Sequence, residues 1–401
     1  MCRWFAYIST SEPCLLEDVL ITPKHSLIKQ VSDHYLPKLL PHEAEHNDDT
    51  SNDIKARNWV FNFDGLGVAW YTSAQADFEL ARPSKTADEA VKEVRLHDSS
   101  AQPYLWIDEA HGFEKTLRPA LYKTIQPPRN DANFLSICAN TETRCLFGHI
   151  RASSGTAIAY VNNHPFVFGR HTLMHNGAAS DFQEIKRDVV NEMSPAAYAN
   201  VFGGTDSEYV PAFSAKAISC HMELIWALHR HVAALYMTYL TNGGDASSFE
   251  QTYSIHEMTE ALHKAVVTII TLQQKRFGHK KRPNSLNLCA TDGIKLVAYR
   301  FRNHRTSQPP SLYYSTKAGV TLNRKYPDNA DGVQHPKREI GIPEEKHGEH
   351  LIVASEPSTY KEADWELIPR NSYLAAGPDG VFEVKECPYV DDWNAEDPPS
   401  K

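Results

Sequence analysis

The order of local patterns restricts the fold of this chain more than any other feature: strand-like stretches lie at both ends and helix-like stretches between them. Arg3 to Ile8 and Leu66 to Tyr71 are apolar, aromatic runs. Further runs follow at Phe134–Cys138, Cys145–Ile150, Phe166–Phe168 and Thr172–His175, each bounded by Gly, Pro or Asn. From Asp181 the period changes. A helix-like stretch leads to Pro195, and an apolar-rich segment runs from Glu208 to about Leu240. Ile255, Met258, Leu262, Val266, Ile269 and Leu272 then recur every three or four residues, the stripe of a helix packed on one face. Strand-like runs resume at Ser285–Ala290, Lys295–Phe301, Leu312–Ser315, Leu351–Ala354, Tyr373–Ala376 and Val381–Val384. Strands, then helices, then strands describe an α+β sandwich and not alternating βαβ units.

Composition limits the function. With 41% hydrophobic and 23% charged residues among 401, the chain is of globular type and buries a large core. Its net charge of −9 supplies no general basic field for nucleic acid. No apolar run approaches the roughly 18–20 residues of a membrane-spanning helix. The start MCRWFAYIST lacks a basic region followed by an apolar core, so no signal peptide is expected. Seven scattered cysteines without a C-x-x-C pair read as reduced thiols in the cytoplasm. The polar stretches His42–Asn58, Asn242–Ser248, Lys275–Asn284, Asn303–Pro310 and Lys325–Glu345 are loops or insertions. Residues 1–390 are expected to form one domain and residues 391–401 a disordered tail.

Four short segments carry reactive chemistry. Cys2 follows the initiator Met, and removal of Met1 would leave a cysteine with a free α-amine. Such an amine has an ordinary pKa of roughly 7.7–8.0 and can serve as a base for its own side chain. Arg151, in Gly148-His149-Ile150-Arg151, ends an apolar strand with a fork that suits a carboxylate; an exposed ion pair is the alternative. Asn176-Gly177 offers an amide side chain and an approachable backbone N–H, the donors of an oxyanion hole, but Asn-Gly is also the commonest hairpin turn, the reading the pair favours in isolation. In Gly203-Gly204-Thr205-Asp206, Asp206 could hold an ammonium group or cap a helix.

Taken together, these segments resemble the class II (N-terminal cysteine) glutamine amidotransferase superfamily. MCRWFAYIS, NFDGLGVAWY, LFGHIRASS, NNHPF, MHNG, GGTDSE, ASEPST and DWELIPRNSYL are similar to the stand-alone branch that contains the amidotransferase-like subunit of the fungal glutathione-degradation complex. The resemblance implies a four-layer αββα sandwich of the N-terminal-nucleophile hydrolase type. It implies Cys2 as nucleophile, Asn176 and Gly177 as oxyanion donors, and Arg151 and Asp206 as clamps for the substrate α-carboxylate and α-ammonium. His149, His164 and His175 also fall in matching motifs; His175, in an apolar strand, is expected to be structural, and none of the three is assigned to catalysis. No cofactor and no metal are expected in this chain; the implied protein partner is metallopeptidase-like and would carry any metal itself. The expected reaction is hydrolysis of a γ-glutamyl amide, glutathione first.

Competing readings fall on identifiable residues. No G-x-x-x-x-G-K-[ST] loop is present, and Gly65-Leu66-Gly67 lacks the third glycine of a dinucleotide site. His256-Glu257 is not followed by a second histidine at the H-E-x-x-H spacing, and the next is His263. The basic run Lys275–Arg282 reads as a solvated helix end before it reads as a nucleic-acid patch. An ammonia-supplying glutaminase, a scaffold subunit that has kept the fold, and a hydrolase of the bacterial thiol-histidine betaine pathway are the alternatives.

Overall fold

The computed structural model describes residues 2–30, 64–79, 116–152, 158–201, 227–326, 346–359 and 361–395. The insertion at 42–58, the Gly203–Glu208 segment with Asp206, and most of the 325–345 stretch lie outside the described residues.

In chain order the principal strands are β1 (Arg3–Ser9), β2 (Leu66–Thr72), β3 (Arg118–Thr124), β4 (Cys145–Ile150), β5 (Phe166–Phe168), β6 (His171–Ala178) and β7 (Ser285–Thr291). They continue with β8 (Leu296–Arg300), β9 (Tyr313–Ser315), β10 (His350–Ala354), β11 (Glu366–Leu367), β12 (Ser372–Ala376) and β13 (Phe382–Glu386). The helices that cover them are α1 (Leu16–Leu20), α2 (Ala132–Ala139), α3 (Phe182–Asn191), α4 (Ala227–Leu240), α5 (Ile255–Phe277) and α6 (Ala318–Leu322). Seven strands form one sheet in the order β11-β9-β10-β1-β4-β2-β3, and six form another in the order β13-β12-β8-β7-β6-β5.

Strand periodicity explains the layers. Along β1, Trp4, Ala6 and Ile8 enter the core between the two sheets, while Phe5 and Tyr7 point to the opposite face. The inter-sheet core joins Trp4 and Phe147 of the first sheet to Met174, Cys289 and Leu374 of the second. Phe147, Met174 and Leu374 are fully buried, each contributing about 1.5–3 kcal/mol. Beyond the seven-stranded sheet a second core takes in Leu16 and Leu20 of α1, Phe134 of α2 and Leu322 of α6. Beyond the six-stranded sheet a third takes in Ile185 of α3, Leu235 of α4 and Met258 to Ile270 of α5. The result is helix, sheet, sheet, helix: the expected four-layer αββα sandwich.

The helical stripe in the 255–272 region lies on α5, whose buried residues include Met258, Leu262, Val266 and Ile269. Its start is fixed by a capping box: the Ser254 hydroxyl accepts from the Glu257 N–H, and the Glu257 carboxylate accepts from the Ser254 N–H at 2.7 Å.

Three expectations need correction. Phe134–Cys138 is helical, because Asp131 caps α2 by accepting from the Phe134 N–H at 3.0 Å and Phe134 and Cys138, four apart, share the buried face. Asn176-Gly177 is no turn: both residues lie inside β6, opposite Asn287 and Leu286 of β7. The beginning of the expected tail is ordered, with a turn of 3-10 helix at Asp391–Trp393 and a bridge from Ala395 to His304. Trp393 packs there against the rings of Phe301 and Tyr389. Residues 396–401 lie outside the described residues. The edge strand β3 was not evident in the sequence, since it contains Pro119 and is mostly half-buried.

Candidate active site

Alternation along the strands decides which side chains meet. Cys2 sits two residues before Trp4, and Arg151 two after His149 and four after Phe147, so both extend the rows that face the other sheet. Strand β4 lies beside β1 with Arg3 opposite Ile150, which brings the residues just beyond, Cys2 and Arg151, to one end of the sandwich. Both are buried, at 3% and 0% exposure. The Ala152 N–H donates to the Cys2 sulfur at 3.4 Å, and the Cys2 thiol points at the Ala152 carbonyl at 3.7 Å. Loop anchoring continues through Gly65, whose carbonyl accepts from the Arg151 N–H at 2.8 Å.

Electrostatics at the sulfur are opposed. Burial pushes the Cys2 thiol up, while the Ala152 N–H, the chain terminus, Arg151 and Arg3 pull it down; burial wins. A thiol so placed stays protonated at neutral pH unless a base takes its proton. Burial also pushes the Arg151 guanidinium down, against the opposite influence of Cys2 and Asp64.

The facing sheet contributes Asn176 and Gly177. Leu173 belongs to the helix-side core and Met174 to the inter-sheet core, so the period of two directs Asn176 toward the sheet that carries Cys2. Asn176 is 2% exposed, and among the described residues none hydrogen-bonds its side-chain amide. Gly177 has φ +136°, and a Cβ there would fall 2.0 Å from the Ser285 carbonyl oxygen. Only glycine fits this close approach between β6 and β7. Asp206 lies outside the described residues.

The three histidines of the matching motifs are built into the frame. His149 Nε2 lies 3.2 Å from the His175 carbonyl, and its ring rests on that of His164, centroids 4.2 Å apart. His175 Nε2 lies 3.3 Å from the Ser285 carbonyl. Burial pushes His149 down to about 3 and His175 to about 4, which leaves both neutral at physiological pH.

No sequence pattern marks the buried charged group on the other face of β1. Arg3 pairs with Glu356 through Nε and Oε1, and Glu356 Oε2 lies 2.8 Å from His25 Nε2. Burial raises the Glu356 carboxyl, but Arg3 and His25 outweigh it and hold the group down at about 2. Glu356 lies in ASEPST, a segment whose charge had suggested nothing by itself. In the basic run Lys275, Arg276, His279 and Lys280 are exposed at and just beyond the end of α5, as expected of a solvated helix end, while Lys281 is buried and donates to the Asp392 carbonyl at 3.1 Å, and Arg282 pairs with Asp181. Among the described residues no helix is long and apolar enough to cross a membrane.

No protein-family model matches the chain. It is 25% identical over 405 residues to "Probable glutamine amidotransferase DUG3" of Saccharomyces cerevisiae, a match covering 99% of this chain and 87% of the yeast protein. A glutamine aminotransferase class-II domain protein from Silicibacter pomeroyi matches with a TM-score of 0.47 and 17% identity, covering 96% of this chain and 99% of that one. A predicted glutamine amidotransferase from Pseudomonas aeruginosa matches with a TM-score of 0.35 and 15% identity, covering 80% and 87%.

Proposed function

This chain resembles the class II (N-terminal cysteine) glutamine amidotransferases, and on that premise we propose that it hydrolyses γ-glutamyl amides with Cys2 as nucleophile. The observation that carries the reading is the convergence at one end of the sandwich of a buried thiol, a buried guanidinium and, on the facing sheet, an amide without a protein partner among the described residues.

In the proposed reaction Met1 is first removed. The free α-amine of Cys2 takes the thiol proton, and the sulfur attacks the γ-carbonyl carbon. As the C–S bond forms, the carbonyl electron pair moves to oxygen, where Asn176 and Gly177 donate to it. Collapse of this intermediate expels the amine, which takes the proton from the ammonium. Water then cleaves the thioester and releases glutamate. Arg151 holds the α-carboxylate and Asp206 the α-ammonium, so the glutamyl half is recognised at both ends and the leaving half is left to vary.

Glutathione is the proposed substrate, with Cys-Gly as the leaving product, and rests on the likeness to the glutathione-degradation branch. A metallopeptidase-like partner that consumes Cys-Gly and a cytoplasmic location belong to the same reading. The chain is proposed as a single domain over residues 1–390. The test is glutamate release by the purified protein with glutathione or glutamine, with and without the peptidase-like partner. Cys2→Ala is the control. Release from glutathione that disappears in the variant supports the proposal. Release from glutamine alone makes the protein a glutaminase, and no release in any condition makes it a scaffold.

A further inference from the structure

After loss of Met1, Cys2 would be the first residue of the chain. The ladder between β1 and β4 begins at Arg3, so Cys2 lies one residue outside it. A terminal residue outside a sheet frays unless something ties it down. A nucleophile whose base is its own amine tolerates little fraying, because both groups turn about the same Cα and must be oriented together.

The tie comes from beneath the sheet. Arg3 Nη1 donates to the Cys2 carbonyl oxygen at 3.1 Å, while its Nε donates to Glu356. Glu356 is held in turn by His25 at 2.8 Å. All three side chains are buried, with Arg3 at 6%, Glu356 at 1% and His25 at 0% exposure. Their backbones are fixed as well: Trp4 and Ser355 exchange hydrogen bonds at 3.0 and 2.9 Å, and the His25 carbonyl accepts from Gln30 at 3.0 Å. A guanidinium can satisfy two acceptors from one rigid plane, which an ammonium cannot do in the same geometry. Held by its carbonyl from one side and by the Ala152 N–H at its sulfur from the other, Cys2 has little rotational freedom left.

We propose that Arg3 and Glu356 are positioning residues for the nucleophile: Glu356 orients the Arg3 fork, and the fork fixes the Cys2 carbonyl so that amine and thiol are presented together. The inference rests on the proposed role of Cys2. The charged groups that act on the Cys2 thiol are Arg151 at the end of β4, Arg3 of β1 and the chain terminus.

The deciding variant is Arg3→Lys, which keeps the buried charge and loses the fork; Glu356→Gln is the second. The pH dependence of Cys2 alkylation by iodoacetamide is followed on the Met1-free N-terminal peptide by mass spectrometry, together with kcat and KM for glutamate release. Folded Arg3→Lys should label about tenfold more slowly at pH 7, with its profile displaced to higher pH, a kcat reduced about tenfold and KM changed less than twofold. Glu356→Gln should move the same readouts in the same direction. An unchanged labelling profile and kcat in folded Arg3→Lys overturn the proposal, as does failure of both variants to fold, which makes the pair a stability element only. If the unmodified protein releases no glutamate but its labelling still differs from that of Arg3→Lys, the hydrolase reading falls and the positioning role stands.

Discussion

Ala152 aims its backbone N–H at the sulfur of Cys2 from 3.4 Å, although 150 residues separate them in the chain. That bond joins the residue just before β1 to the loop that follows β4, and it fixes the sulfur at the end of the sandwich where Arg151 lies. Cys2→Ala should therefore abolish glutamate release, by about 10³-fold or more, with only a small loss of stability because one buried atom is removed. Thermal melting and product assay of the same preparation check this; a folded variant that still hydrolyses would remove Cys2 from the mechanism.

Arg151 is buried at the end of β4, at 0% exposure. Arg151→Lys preserves the charge and removes the planar fork, so binding should suffer more than chemistry. The expected result is a KM for γ-glutamyl substrate raised about ten- to a hundredfold, with kcat within a fewfold. Steady-state kinetics decide it, and unchanged KM would place the carboxylate clamp elsewhere.

Gly177→Ala strains the backbone at φ +136° and drives a methyl group to within 2.0 Å of the Ser285 carbonyl, which is backbone and cannot swing aside. The substitution should cost about 1–3 kcal/mol, and it should reduce activity further by displacing Asn176 next to it. Gly243→Ala is a useful comparison, since φ is +75° there but nothing lies within 4 Å of the added atom. Denaturant melts of the two variants should rank Gly177→Ala as the more damaging; equal effects would show that the close approach to β7 carries no energetic weight.

Acid should unfold the protein in two stages. Burial pushes His149 to about 3 and His171 and His175 to about 4, from 6.5. Because these folded values are depressed, the unfolded chain binds the protons first, and stability is lost as pH falls below 6.5 toward the folded values. For Glu356, burial opposes ionisation but Arg3 and His25 hold the value at about 2 against an ordinary 4.5, so its contribution is intact above pH 4.5 and is lost toward pH 2. Melting temperature measured from pH 8 to pH 3 should decline below about 6.5 and again below about 4.5. Glu356→Gln should flatten the second decline alone. A melting temperature constant from pH 7 to pH 5 would contradict the histidine part.

The sequence by itself determined most of the strands and the covering helix, and it named the candidate reactive groups. Alternation in Arg3–Ile8 and Cys145–Ile150 marked strands, the three-to-four period from Ile255 to Leu272 marked a covering helix, and Cys2, Arg151, Asn176 and Gly177 could each be named from residue chemistry and neighbours. These properties are local, set by backbone periodicity and side-chain type. Tertiary structure decided what local pattern leaves open. It chose helix over strand for Phe134–Cys138, because the Asp131 cap and the core beyond the seven-stranded sheet favour it. It put Asn176-Gly177 inside a strand where the pair in isolation favours a two-residue turn, because β7 supplies the pairing partner. It also assembled Arg3 with Glu356, 353 residues away, and with His25. No sequence spacing encodes that meeting: the two strands become neighbours only when the sheet closes, and a buried charge is stable only once its partners have arrived.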